Sequence, residues 1–174
     1  MRRIFRGVFG VGLMMAGILA IGVVSVLAAS SGQSTTLNVT VPTSISLTGL
    51  AASYSLTAPA GINTSVVTGP ITISTNNSTG YTLKVAAGAA NFVGTINPAN
   101  VMPASADAVA YCPSTDGTGC TPSQPLTTGG ITVHSTTAPT TGDIFTVSHV
   151  FVVPGDQPAD TYTGTVTYTA TSNP

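Results

Sequence analysis

The sequence contains no tryptophan and no glutamate, and only 5% of its residues are charged. Beyond residue 6, Lys84 is the only lysine or arginine, and every acidic residue is an aspartate. A protein that binds nucleic acid neutralises several phosphates with lysine and arginine. The scarcity of positive charge therefore excludes nucleic acid as a partner of the region after residue 6.

The positive charge that is present lies at the N-terminus. Arg2, Arg3 and Arg6 precede an uncharged, largely apolar run from Gly7 to Ala29. A basic start, an apolar middle and a small-residue site near Ala28 predict a signal peptide over residues 1–29. An uncleaved anchor is the alternative, because the run could cross a bilayer of roughly 30 Å as a helix. Under both interpretations we expect the remainder to be exported, either secreted or held at the cell surface, with residues 30–36 as a short polar linker.

Cysteine is also scarce, since the chain has only Cys112 and Cys120, which bracket the stretch "CPSTDGTGC". In an exported protein, two cysteines this close in sequence most often form a disulfide. Closing the loop would stabilise the fold by roughly 2.5 kcal/mol in the chain-entropy model. A metal site is the alternative, but neither a CxxC pair nor an adjacent histidine supplies further ligands. We predict a disulfide, and we expect no metal or other cofactor.

Threonine is abundant, and it alternates with apolar residues. In "TYTGTVTYTAT", Thr161 to Thr171, threonine occupies every second position. Successive side chains of a strand point to opposite faces, so this stretch predicts a strand with one apolar and one hydroxyl-bearing face. Threonine favours extended backbone, and its hydroxyl is satisfied in water. The exposed face is therefore expected to be polar and almost uncharged.

Similar alternation recurs after the leader, separated by turn sequences such as "VTGP", "STNNSTG" and "PGDQPAD". This pattern predicts an all-β fold, an antiparallel β-sandwich of about 9–10 strands forming a single domain over residues 37–174. The predicted strands contain Leu37/Val39/Val41, Ile45/Leu47, Tyr54/Leu56, Ile71/Ile73, Tyr81–Val85, Phe92–Ile96, Ala106–Tyr111, Ile131–His134, Ile144–Val153 and the closing threonine-rich stretch.

The stretch from Asp143 to Val153 is the most apolar and predicts a central strand covered on both faces. His149 falls among its core-facing residues and is expected to be a buried, hydrogen-bonded histidine. His134 lies on the opposite face from its apolar neighbours and is expected to be a solvated edge residue. Ser148 and His149 point to opposite faces of one strand, so they do not form part of a catalytic triad. We therefore expect no enzymatic activity.

Two segments resemble a known family. "ISTNNSTGYTLKV", from Ile73 to Val85, and "PADTYTGTVTYTATSNP", from Pro158 to Pro174, are similar to the signature regions of WxL-type cell-surface domains of Gram-positive bacteria. Tyr81-Thr82-Leu83 and Tyr168-Thr169-Ala170 stand where that family has Trp-x-Leu. Both tryptophans are thus replaced by tyrosine, and the second leucine by alanine. The closing pattern is more weakly similar to fimbrial and spore-coat-like β-sandwich subunits.

The resemblance implies association with the cell wall, through peptidoglycan or another glycan. The residues that would contact the wall are Tyr81, Leu83, Tyr162 and Tyr168. The alternative is that these tyrosines are core residues with their hydroxyls at the rim, because they lie on the apolar faces of their strands. Stacking against a carbohydrate requires at least one ring to be exposed.

Two functions remain open. In the first, the protein is a non-catalytic, wall-associated domain that contacts glycan through threonine and tyrosine surfaces. In the second, it is a self-assembling structural subunit of a surface layer, coat or fibre, in which edge strands of neighbouring copies pair. A nearly uncharged surface offers few electrostatic means of selecting a partner, and it suits both neutral polymers and copies of the same chain.

Overall fold

The computed structural model describes residues 36–174, so the predicted leader, residues 1–29, and residues 30–35 of the predicted linker lie outside the described residues. Thr40–Pro174 forms one compact unit. The unit is all-β with antiparallel sheets, as the alternating pattern predicts. Over the described range, no helix is both long enough and apolar enough to cross a membrane.

The described chain contains twelve strands, more than the 9–10 that the sequence predicts. A single 3-10 turn, Ala104–Ala106, precedes β7. The strands are β1 (Ile45–Thr48), β2 (Asn63–Val67), β3 (Ile71–Thr75), β4 (Tyr81–Ala87), β5 (Asn91–Gly94), β6 (Val101–Pro103), β7 (Asp107–Cys112), β8 (Gln124–Pro125), β9 (Ile131–Ser135), β10 (Thr140–Val152), β11 (Tyr162–Thr163) and β12 (Val166–Ser172).

The largest sheet is built around β10. Its strand order is β1-β3-β10-β7-β8, and β2 pairs with the second half of β10 on the side where β3 pairs with the first half. The prediction that this segment is a central strand is confirmed. Coverage of its outer face is limited to the middle, where Thr146 is 0% and Ser148 7% exposed, whereas Ile144 and Val152 are each 50% exposed.

Two three-stranded sheets complete the unit, with the orders β12-β4-β9 and β11-β5-β6. The apolar faces of the largest sheet and of β12-β4-β9 meet in one core, which gives the fold a sandwich-like arrangement. The fully buried side chains of that core come from both sheets: Ile71, Ile73, Phe145 and Val147 from the largest sheet, and Tyr81, Leu83 and Val85 from β4. Burial of such apolar side chains provides the main stabilisation, at about 25 cal/mol per Å².

Two predicted strands are absent. The segments around Val41 and around Leu56 form no strand, because neither has a ladder partner among the described residues. Conversely, β2 was not predicted. Its apolar residues, Val66 and Val67, are adjacent in sequence, so "NTSVV" lacks the alternation that marks the other strands, and only pairing with β10 reveals it.

The threonine-rich closing stretch is divided. β11 pairs with β5, whereas β12 pairs with β4, so the two halves belong to different sheets. Gly164 lies at the division, where a Cβ atom would clash with the ring of Phe92. A glycine is therefore needed for the chain to pass from one sheet to the other.

Candidate binding face

The outer surface of sheet β12-β4-β9 carries a continuous array of hydroxyl groups. Register pairs place Thr169 beside Lys84 and Lys84 beside Thr132, and they place Thr171 beside Thr82 and Thr82 beside Ser135. We call this surface the hydroxyl face, and its members are Thr82, Lys84, Thr132, Ser135, Thr167, Thr169 and Thr171. Neighbouring strands are about 4.8 Å apart and same-face residues about 7 Å apart along a strand, so the side chains of β12 and β4 are regularly spaced. On β9 the bulge interrupts this spacing, and Thr132 and Ser135 are three residues apart.

Most hydroxyls of this face are free to bond a ligand. The side chains of Thr132, Ser135, Thr167, Thr169 and Thr171 are exposed and make no hydrogen bond to another described residue. Thr82 differs, because its Oγ1 donates to Oδ1 of Asn173 at 2.7 Å. On the outer side of β1 and β3, by contrast, the Ser74 hydroxyl already donates to the Thr141 carbonyl at 2.9 Å. The hydroxyl face thus has donors and acceptors that the fold does not use.

Lys84 is the only cation of the face and, in the part of the chain that the structure describes, the only lysine or arginine. Its side chain is exposed and forms no ion pair with a described residue. A single ammonium group surrounded by threonines can bind one anionic or strongly polar group at the centre of an otherwise neutral contact.

The opposite side of β4 faces the core, which corrects part of the predicted site. Tyr81 and Leu83 are both 0% exposed, so neither can contact a wall polymer in the folded protein. The Tyr81 hydroxyl donates to Oδ2 of Asp143 at 2.6 Å. Burial, followed by the nearby Asp143 carboxylate, raises the pKa of Tyr81 far above its ordinary value. The assignment of Tyr81 and Leu83 as ligand contacts is therefore wrong, and both are core residues.

Tyr168 and Tyr162 are only partly exposed. The Tyr168 hydroxyl contacts Nε2 of His149, and the ring packs edge-on to that histidine, so the hydroxyl is engaged within the fold. Burial raises the pKa of Tyr168. Tyr162 lies on β11, outside the hydroxyl face, and its hydroxyl donates to the Pro158 carbonyl at 2.7 Å. The structure therefore does not bring the four predicted contact residues together on one surface.

His149 occupies the core, as predicted, and it joins the two sheets. Its Nδ1 lies 2.7 Å from Oδ2 of Asp107 on β7, and its Nε2 contacts Tyr168 on β12. A carboxylate only accepts hydrogen bonds, so Nδ1 carries the proton and Nε2 accepts from the phenol. His149 is 5% and Asp107 0% exposed, which leaves no path for a substrate. Sequence reasoning did not identify Asp107 as its partner, because a local pattern does not show which strand lies beside β10.

A second histidine cluster lies further along the same sandwich, and it corrects the prediction for His134. Nε2 of His134 donates to Oδ2 of Asp143 at 2.9 Å. The imidazole stacks on the Tyr111 ring with a centroid separation of 4.0 Å and an interplanar angle of 2°. Its side chain is 18% exposed, so it is a packed residue instead of a solvated one. The β-bulge between Leu83 and Lys84 changes the register of β4 against β9, which the sequence pattern does not reveal.

The two segments that resemble WxL signatures lie side by side. In the β4–β12 ladder, Leu83 pairs with Ala170 and Tyr81 pairs with Ser172. The "TNNSTG" turn adds side-chain bonds, because Asn77 Nδ2 donates to the Asn173 carbonyl at 2.6 Å. Gly80 takes a positive φ of 78°, which suits glycine at the end of this turn. In this chain the shared positions thus hold β4, β12 and the turn together.

Cys112 and Cys120 form the predicted disulfide. The loop they close lies over the outer face of β10, where the Thr146 hydroxyl donates to the Ser114 carbonyl at 2.9 Å. Within the loop, Asp116 accepts hydrogen bonds from the backbone amide and hydroxyl of Thr118. The Ser114 side chain, followed by these bonds from Thr118, lowers the pKa of Asp116. The loop is a structural clamp on the central strand.

Comparisons with known proteins place few constraints on this chain. No protein-family model matches it, and no curated protein matches it. Among solved structures, it is similar to a family 123 glycoside hydrolase from Clostridium perfringens, described in a study of glycolipid glycan hydrolysis. The identity is 14% and the TM-score 0.38, and the match covers 67% of this chain and 20% of that one. The chain thus spans a fifth of the hydrolase's length.

Proposed function

We propose that the protein is an exported, non-catalytic cell-surface β-sandwich protein that associates with peptidoglycan or another cell-wall glycan, as a WxL-like domain. The observation that carries the proposal is the hydroxyl face, with its unused threonine hydroxyls around Lys84. Glycans are rich in hydroxyl and amide groups, and they exchange hydrogen bonds with such a surface without needing high charge. Individual bonds of this kind are worth about 0.5–1.5 kcal/mol, so binding depends on many of them acting together.

The placement of the titratable residues supports a non-catalytic role. Catalysis needs an acid, base or nucleophile that a substrate can reach. The two histidines are instead engaged with Asp107 and Asp143, and both join β-strands inside the fold. The disulfide loop supports export, because disulfides persist in oxidising compartments.

The proposal is tested by incubating the purified protein with purified sacculi, the intact peptidoglycan sheets of a bacterial cell, and then sedimenting the sacculi. The proposal predicts depletion of the protein from the supernatant, saturable and resistant to moderate salt, since one lysine contributes little charge attraction. A protein of similar size without affinity for sacculi is the control. Complete recovery of the protein in the supernatant over all tested sacculus concentrations contradicts the proposal.

A second candidate function, self-assembly into a surface layer, coat or fibre, is favoured by a different observation. The free edge of β12 carries no charged residue and no proline, although such residues normally protect edges from pairing with other chains. If the protein assembles, oligomers grow with its concentration in the absence of any glycan. Sedimentation velocity over a wide concentration range separates this outcome from glycan binding.

A further inference from the structure

A strand-like segment precedes β1 and forms no ladder with any other described residue. In "TLNVTV", residues 36–41, apolar residues alternate with polar ones, as in a strand with one buried face. Leu37, Val39 and Val41 are nevertheless 82%, 73% and 73% exposed. Three large aliphatic side chains in alternation are costly to leave in water, at about 25 cal/mol per Å². The segment therefore has the alternation of a strand, but no strand among residues 36–174 pairs with it.

The matching feature is the free edge of β12. Its inward residues, Val166, Tyr168 and Ala170, are only partly buried, whereas their neighbours on β4, Leu83 and Val85, are 0% exposed. No described residue forms a backbone ladder with β12 on the side away from β4. β1 of the largest sheet packs near β12, and the inner side chains of β12 contact the core. The backbone N–H and C=O groups on this side of β12 nevertheless have no strand partner among the described residues.

The alternation of the segment matches β12 on both faces. A strand added at this edge would place Leu37, Val39 and Val41 in line with the apolar residues of β12. It would simultaneously place Asn38 and Thr40 in line with Thr167, Thr169 and Thr171, extending the hydroxyl face by one strand. A shift of one residue would expose the aliphatic side chains, so the register is specified by burial.

The conformation of residues 42–44, which connect the segment to β1, indicates whether the segment pairs with β12 of its own molecule or of a second copy. The Pro42 carbonyl accepts from Asn76 Nδ2 at 2.8 Å, and the Ser44 amide donates to Asn76 Oδ1 at 2.7 Å. The Ser44 carbonyl accepts from the Thr75 hydroxyl at 2.8 Å. These bonds hold residues 42–44 in line with β1, alongside the end of β3. Pairing with β12 of the same molecule would require the chain to reverse its direction immediately before these bonds, because β1 begins at the end of the sandwich where β12 ends.

We infer that residues 36–41 of one copy add as a strand to the free edge of β12 in a second copy. This inference rests on self-assembly, the second candidate function, and specifies the contact between subunits. Each copy offers one such segment and one such edge, so the contact is heterologous and propagates into a chain of subunits. Main-chain hydrogen bonds supply the attachment, and the aliphatic residues give it register.

The first test compares two matched variants of the exported chain by sedimentation velocity. Val39→Asp introduces a carboxylate on the apolar side of the segment, and Asn38→Asp introduces the same charge on its polar side. The inference predicts that Val39→Asp weakens self-association at least about tenfold, because a charge cannot be buried unpaired. Asn38→Asp is expected to assemble as the wild type does. Equal behaviour of the two variants overturns the inference.

The second test locates the contact by cross-linking. One population carries Ala170→Cys, and another carries Leu37→Cys, Val39→Cys or Val41→Cys. The existing cysteines are already paired, and the described residues contain no free thiol. Mixing the populations under mild oxidation is expected to give a covalent heterodimer with at least one of the three segment positions, and none with Asn38→Cys.

The two tests separate the inference from the function on which it rests. If wild-type oligomers form but Val39→Asp does not weaken them and no heterodimer appears, the protein self-assembles through a different contact. The pairing of residues 36–41 with β12 is then wrong. If the wild type stays monomeric at every concentration, self-assembly itself fails, and the inference fails with it. If doubly substituted Val39→Cys/Ala170→Cys chains cross-link only within one molecule, the segment pairs with its own β12, which also overturns the exchange between copies.

Discussion

Nδ1 of His149 donates to Oδ2 of Asp107 across the β10–β7 ladder at 2.7 Å, and the Asp107 side chain is entirely shielded from water. The same imidazole contacts the Tyr168 hydroxyl on the facing sheet. One histidine thus connects three strands and both layers of the sandwich. The imidazole bonds Oδ2 of this buried carboxylate, while Oδ1 is buried with no hydrogen-bond partner among the described residues. Removing the imidazole would leave both oxygens unpaired in the core, which is strongly unfavourable.

Replacing His149 by phenylalanine is expected to destabilise the protein by about 3–5 kcal/mol, because Asp107 is left buried without its partner. His134→Phe is the matched control. Phenylalanine can keep the stacking on Tyr111, and Asp143 retains the Tyr81 hydroxyl, so the expected cost is about 1–2 kcal/mol. Urea denaturation of the two variants provides the comparison. Equal losses of stability in the two variants would contradict the larger contribution expected from the Asp107–His149 pair.

Removing the disulfide with Cys112→Ala and Cys120→Ala together is expected to lower the free energy of unfolding by roughly 2–3 kcal/mol. The loss arises because the loop over β10 is no longer closed in the unfolded chain. Denaturation of the wild type with and without reductant is the independent comparison, and the reduced protein should match the double variant. An unchanged denaturation midpoint in both experiments would show that the loop does not clamp the strand.

Stability is expected to fall at high pH because of two buried phenols. Burial raises the pKa values of Tyr81 and Tyr168 above the ordinary value of 10.0. Above pH 10 the unfolded chain therefore releases protons that the folded chain retains, so stability decreases as the pH rises. Tyr168→Phe removes one of these groups and should make the decline shallower. A decline of the same steepness in the variant and the wild type would count against this assignment.

Asp160 is expected to control part of the acid sensitivity. Hydrogen bonds from the amides of Ile96 and Asn97, the Asn100 side chain and the Thr161 amide lower the pKa of Asp160 to about 2, with that from Ile96 the largest cause. The stabilisation is fully present above the unfolded pKa of 3.8 and is lost as the pH falls through about 2. Asp160→Asn should flatten this acid dependence, measured as stability against pH.

Asp156→Asn is the matched control for that measurement, since Asp156 belongs to the same "PGDQPAD" loop and its side chain makes no hydrogen bond to a described residue. It is expected to follow the wild-type acid dependence. If both variants flatten the curve equally, the network around Asp160 is not its source.

Period-two alternation predicted the fold class, the central position of β10 and the burial of His149, because all three follow from which side of a strand a residue occupies. The disulfide followed from cysteine spacing. Pairing between distant strands could not be predicted, so the Asp107–His149 and Asp143–His134 partnerships were missed. The β-bulge in β9, where Val133 has no partner opposite Leu83 and Lys84, turned His134 away from the surface. It could not be predicted either, since a local pattern does not specify register.

The candidate site also combines features that a local sequence pattern predicts with features that depend on strand pairing. The threonines of β12 were predicted to face solvent, and they do. Lys84, Thr132 and Ser135 lie on the same surface because β12 and β9 flank β4. A local sequence pattern does not show which strands are neighbours, so this surface could not be predicted. The tyrosines and Leu83 were chosen by family resemblance, and the structure places Tyr81 and Leu83 in the core because they lie on the inward face of a central strand.

Sacculus binding by a variant of the hydroxyl face tests the central claim most directly. Thr167, Thr169 and Thr171 are replaced together by alanine, and the control replaces Ser46, Thr48 and Thr72 by alanine on the outer side of β1 and β3. Loss of three ligand hydrogen bonds at about 0.5–1.5 kcal/mol each predicts binding weakened at least about tenfold in the first variant. The control is expected to bind as the wild type does. Undiminished binding by a folded Thr167/Thr169/Thr171 variant would contradict the account.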